Sequence, residues 1–120
     1  DLVELKDKRD FGAETYFLNH CVGAGGADEA TGKFLPKWSP VTGEEILRNK
    51  NFQNSADIYY GLMERGNARY FSYRPEGLPV ATVEVDKFGD IKQLYGEKNS
   101  EVPQDIKRKI SMAIDSIIHK

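Results

Sequence analysis

Arg69-Tyr70-Phe71-Ser72-Tyr73-Arg74, Val80-Ala81-Thr82-Val83-Glu84-Val85 and Asp90-Ile91-Lys92-Gln93-Leu94-Tyr95 are the three segments that decide the fold. Each is rich in β-branched and aromatic residues, which pack well on a pleated surface. The links between them are Pro75-Glu76-Gly77 and Asp86-Lys87-Phe88-Gly89. Links this short allow only antiparallel pairing. Upstream, Ala56, Ile58, Tyr60 and Leu62 alternate with Asp57, Tyr59, Gly61 and Met63, which reads as a further strand closed by Arg65-Gly66-Asn67. The expectation is a four-stranded antiparallel meander over residues 56–96.

Helices flank the meander in this reading. Asp10 can cap a helix from about Phe11 to Val22, with Gly23 as its stop and Ala13, Phe17 and Cys21 on one face. At the other end, Ser100 caps a helix from about Glu101 to Ile118, and Pro103 is tolerated in its first turn. Its apolar stripe is Ile106, Ile110, Ala113, Ile114 and Ile117, opposite Lys107, Arg108, Lys109 and Asp115. The fold class is α+β, an antiparallel sheet packed with an N-terminal and a C-terminal helix.

Between the first helix and the meander lies a long loop insertion. Gly23-Ala24-Gly25-Gly26 is a pliable connection; no strand precedes it and no Gly-Lys-Ser/Thr follows, as a phosphate-binding loop requires. Residues 27–55 are an irregular excursion punctuated by Pro36, Pro40 and Gly43. Thr42 and Glu45 have capping-box spacing, which predicts a short helix from Glu44 to about Asn49. Phe34, Leu35, Trp38 and Ile46 anchor the excursion to the core, or else form a lid or a partner surface.

The 120 residues suit one domain, and the start at Asp1-Leu2-Val3 without methionine reads as a piece of a longer protein. A net charge of −2 does not point to nucleic acid or an anionic membrane. No apolar run nears the roughly 20 residues of a membrane helix. The basic run Lys107-Arg108-Lys109 is balanced by acids, so nucleic-acid binding is not expected. The single Cys21 allows no internal disulfide and fits a reducing, cytoplasmic setting, with secretion into a host as the alternative. With two histidines, one cysteine and no His-Glu-x-x-His, neither a metal nor another cofactor is expected. Oligomeric state is left open.

His20 and Cys21 invite a catalytic reading. Neighbouring helical residues diverge by about 100°, so the pair cannot form a dyad within a helix. A helix C-terminus also disfavours a thiolate, which makes Cys21 a core residue. The same dipole favours a cationic His20, which could bind an anion, act as a general acid or cap its own helix. If Val85 pairs with Asp90, Thr82 opposes Gln93 and Glu84 opposes Ile91. Thr82, Glu84 and Gln93 then share a face, and a slip of one residue would move Gln93 to the other. Arg74 ends the preceding strand, its face set by the same register.

The ordered set His20-Cys21-Val22-Gly23, Arg74, Ala81-Thr82-Val83-Glu84-Val85, Ile91, Gln93, Gly96 and Asn99 resembles the PcfJ-like domain of conjugative plasmids and related mobile elements. The resemblance covers roughly residues 14 to 100. Its later part follows Thr-x-Glu-x and Ile-x-Gln-x-x-Gly-x-x-Asn. Two departures stand out: Ala24-Gly25-Gly26 replaces a tyrosine usual after His-Cys-Val-Gly, and the stretch before Arg74 is longer than usual. The resemblance brings no established reaction. It implies His20, Cys21, Glu84 and Gln93 as catalytic residues and Arg74 and Asn99 as substrate-binding ones. As an enzyme, the domain would use Glu84 as base or acid and His20 as cationic or proton-donating partner. Gln93, Asn99 and Arg74 would orient an anionic or amide substrate, a small molecule or a protein. As an interaction module, it would present Trp38, Phe34 and Tyr59 to a partner.

Overall fold

A computed structural model of the chain describes residues 1–46 and 55–118. Strand β1 (Leu2–Leu5) leads into α1 (Lys8–Leu18), then β2 (Ala24–Ala27) and β3 (Phe34–Pro36). Helix α2 (Ser55–Glu64) precedes β4 (Ala68–Tyr73), β5 (Ala81–Asp86) and β6 (Ile91–Tyr95); a 3-10 turn at Glu97–Asn99 leads to α3 (Gln104–Ile118). The fold is α+β. Its main sheet is antiparallel in the order β1-β4-β5-β6, and β2 and β3 form a separate hairpin.

The segments 68–95 form a meander, as their pattern requires. The fourth strand, however, is β1, whose Leu2 pairs with Tyr73 and Leu5 with Tyr70. Residues 55–64, expected as a strand, form α2 instead. Ala56, Tyr59, Tyr60 and Met63 have helical i, i+3, i+4, i+7 spacing and pack together against β4 and α1. Lys37 fixes the helix start, its Nζ donating to both Asp57 oxygens at 2.6 and 2.7 Å.

Helix α1 begins three residues and ends four residues earlier than expected. Asp7, not Asp10, is the N-cap: its side chain accepts from Asp10 N at 3.0 Å, and Asp10 accepts in return from Asp7 N at 3.3 Å. Asn19 stops the helix in the left-handed region, at φ 51°. The buried stripe is Phe11, Glu14, Thr15 and Leu18, while Phe17 is half exposed.

The glycine-rich run is a strand. Glycine is needed at its entry because backbones meet there: a Cβ on Gly23 would lie 2.1 Å from Phe11 O, and one on Gly12 would lie 2.1 Å from Trp38 O. Trp38 is buried among Phe11, Tyr60 and Ala56, so it anchors the excursion and is no partner surface; Ile46 is exposed. Instead of starting a helix, Glu45 bridges to Trp38, and Thr42 Oγ1 accepts from Glu44 N at 3.2 Å. The remainder of that expected helix lies outside the described residues.

One face of the sheet carries Phe71, Tyr73, Ala81, Val83 and Val85 against Ile110 and Ile114 of α3. Each fully buried Phe, Val or Ile among them contributes about 1.5–3 kcal/mol of transfer free energy. The opposite face points at α1, α2 and the hairpin, and it holds the polar residues. On β5–β6, Thr82 pairs with Tyr95, Glu84 with Gln93 and Val85 with Ile91. Lys92 is the bulged extra residue. Gln93 therefore stands opposite Glu84, two residues from the expected pairing with Thr82. A shift of two keeps Thr82, Glu84 and Gln93 on one face.

Candidate functional site

Strand alternation places Ser72 of β4 beside Thr82 of β5, both fully buried on the face toward α1. Glu14 reaches them from α1, and it too is fully buried. The early end of α1 brings His20 into the same space. The Thr15 hydroxyl accepts from Gly23 N at 2.7 Å, and Asn19 Oδ1 accepts from Phe34 N at 2.7 Å, so the 19–23 turn is held at both ends.

These groups form a continuous chain. Val22 N–H donates to His20 Nδ1 at 3.4 Å, which leaves the proton on Nε2. His20 Nε2 donates to Thr82 Oγ1 at 2.7 Å, and the Thr82 hydroxyl donates to Glu14 Oε2. Arg74 Nη2 donates to Glu14 Oε1 at 3.3 Å, and Arg74 Nε donates to Ser72 Oγ at 2.9 Å. Burial lowers the His20 pKa to about 4. Burial raises that of Glu14, opposed by hydrogen bonds from Ser72 and Thr82 and by Arg74. His20 is thus neutral at pH 7 and closed off from solvent, not the exposed cation of a last helical turn. It acts as a brace between the turn and the sheet.

Cys21 faces the other way. It is partly exposed, lies beyond the helix and is not a core residue. Its thiol donates to Asn99 Oδ1 at 3.6 Å and lies 3.8 Å from the Tyr59 hydroxyl. Its carbonyl accepts from Ser55 Oγ, the first residue of α2, at 2.7 Å. Asn99 and its neighbour Lys98 both have left-handed backbones, at φ 59° and 57°, an arrangement costly for lysine.

Glu84 accepts from the Tyr70 hydroxyl at 3.0 Å. Tyr59 stacks edge-on to Tyr70 at 6.0 Å, and Tyr95 stands edge-on to the His20 ring at 5.7 Å. Burial, reinforced by Cys21, pushes the Tyr59 pKa up to about 12. Tyr70 and Tyr95 are also raised, by burial first, with the Glu84 charge adding to both. All three phenols are therefore protonated donors at neutral pH. The buried Tyr95 hydroxyl faces that of Tyr59 without a hydrogen bond of ordinary geometry.

Of the six residues singled out by sequence, five fall into two connected groups and Gln93 stands apart. His20 and Arg74 belong to the closed chain through Thr82 and Glu14. Cys21 and Asn99 meet at the rim, and Glu84 joins them through Tyr59 and Tyr70. Gln93, opposite Glu84, is exposed. Sequence reasoning missed Glu14, Tyr70 and Tyr95, and named Tyr59 only for a partner surface, whereas it packs against the core around Tyr70. Glu14 did carry a signal, since it shares the i, i+3, i+4, i+7 stripe with Phe11, Thr15 and Leu18.

Among the described residues, no three His, Cys, Asp or Glu side chains assemble into a metal site. No described helix is long and apolar enough to cross a membrane. No family model, no curated protein and no solved structure matches the chain.

Proposed function

We propose that the chain is a divergent PcfJ-like domain from a bacterial mobile element, with an acid/base active site on the Glu84 face of the sheet. The observation that carries this is the meeting of Cys21, Asn99, Tyr59, Tyr70 and Glu84 over a buried brace. Glu84 would take or give the proton. The Tyr59 hydroxyl would donate to charge developing on the substrate, and Gln93 and Asn99 would orient an amide or anionic group. The Cys21 thiol, beside the Tyr59 hydroxyl, adds a nucleophile to the same surface. His20, Thr82, Glu14 and Arg74 hold that surface in place without touching substrate. A single unpaired cysteine agrees with a cytoplasmic setting.

The test is a panel of ester, thioester and amide substrates. Hydrolysis is expected, and Glu84→Gln should slow it at least about a hundredfold while circular dichroism is unchanged. A wild-type rate in Glu84→Gln would remove Glu84 from the chemistry.

One observation favours a second reading, a non-enzymatic interaction module. Tyr16 and Phe17 are 64% and 51% exposed and stack edge-on at 5.3 Å. With Phe34, Leu35 and Pro36 they line a groove of about 560 Å³. No turnover across the panel, together with partner capture lost on Phe17→Ala, would support it.

A further inference from the structure

β6 ends the order of the main sheet, so one margin of Ile91–Tyr95 has no neighbouring strand among the described residues. A groove of about 560 Å³ runs between this strand and α3. The helix contributes Gln104, Lys107, Arg108 and Ser111, at i, i+3, i+4 and i+7, hence a single polar face. The strand adds Lys92, and Glu101 is the only acid in the lining. Ile91 and Leu94 supply its apolar part.

The lining carries three cations and one carboxylate, in a chain whose net charge is −2. Two of the cations are in long ion pairs with one exposed member each: Lys107 with the exposed Glu101 at 3.6 Å, and the exposed Lys92 with Asp86 at 3.5 Å. Pairs of this kind contribute little and exchange readily for another carboxylate. Arg108 has no ion-pair partner among the described residues.

We propose that the β6–α3 groove receives a short, extended, acidic segment of a partner protein, which adds to β6 as a fifth strand. The free margin of β6 supplies the backbone ladder. Every second residue of the added strand faces α3, so acidic side chains at alternating positions meet Lys107 and Arg108. A second copy of β6 does not fit, because pairing two copies would bring Lys92 and Arg108 of each toward like charges. A backbone ladder also selects a polypeptide, where a nucleic acid would need only the cations.

The experiment is an amide NMR titration of the 120-residue chain with acetyl-Thr-Glu-Val-Glu-Val-Glu-Thr-amide. Parallel titrations use the peptide with Lys for each Glu, the acidic peptide with a central proline, and a short oligothymidylate. The acidic peptide should shift the 91–95 and 104–111 amides and slow exchange along β6. The proline peptide, and the Lys107→Glu/Arg108→Glu protein, should each bind at least about tenfold more weakly. Both substitutions lie outside the apolar cores, and circular dichroism checks that the fold persists. Absence of shifts with the acidic peptide overturns the proposal. So does equal binding of the Lys peptide or the proline peptide, or tighter binding of the oligothymidylate.

Discussion

On one side of the sheet, Phe71, Val83 and Val85 meet Ile110 and Ile114; on the other, Ser72 and Thr82 meet Glu14 and His20. Both sides are equally dry. The α3 side needs only apolar side chains of suitable volume, and its cohesion is spread over many small contacts. The α1 side concentrates its cohesion in a few groups that must all remain paired. The first tolerates substitution in small steps. The second fails as a unit, and it is the one beside Cys21 and Glu84.

The sharpest way to break this contrast is Glu14→Leu. The leucine fills the space but leaves Arg74 and Thr82 without their acceptor, and with Thr82 the link to His20 loses its anchor. A loss of about 3–5 kcal/mol is expected in urea denaturation. A loss no greater than that of a conservative apolar change would show that the polar face is not a unit.

Next comes pH. His20 titrates near 4 in the folded protein and near 6.5 when unfolded. Its contribution is therefore fully present above pH 6.5 and is lost as the pH falls toward 4, by up to about 3 kcal/mol. Glu14 works in the opposite sense: its folded pKa is raised above 4.5, so the cost of keeping it ionised is relieved on acidification. Thermal melts of wild type and His20→Asn between pH 7 and 4 separate the two. The wild type should lose stability relative to the variant as the pH falls through that window, and parallel curves would refute the assignment.

The smallest effect belongs to the apolar side. Ile110→Val should cost about 0.5–1.5 kcal/mol. The cost should be the same at pH 7 and pH 5 in denaturant melts, because the buried layer, apart from the phenol of Tyr73, is made of side chains that do not titrate. A pH-dependent cost would mean that the two sides are coupled.

The meander was legible because β4, β5 and β6 are rich in β-branched and aromatic residues and joined by unmistakable turns. β1 was not, because Leu2-Val3-Glu4-Leu5 is short and its partner lies far along the chain. The segment 56–63 satisfied two periods at once; its even positions suggested a strand, and packing selected the set 56, 59, 60 and 63. His20, Cys21, Arg74, Glu84, Gln93 and Asn99 were expected as one set; the structure divides them, and the meeting of Cys21 with Asn99 rests on the left-handed turn at Asn19, which helix periodicity ran past. Thr82, Glu84 and Gln93 came to one face through a pairing different from the expected one, since a bulge leaves no trace in alternation. Buried glutamate is rare enough that composition argues against it; only its place in the helical stripe spoke for it.

The pairing of β1 with β4 has a temporal consequence. The hairpin and the β4–β6 meander close over short spans, whereas the Glu4–Arg69 ion pair joins residues 65 apart. During synthesis the ribosome delivers β1 long before its partner exists. The strand waits unpaired until β4 emerges, and the seam between them carries the largest loop-closure entropy of the sheet. Until that seam closes, it is where a competing strand would find the nascent chain open.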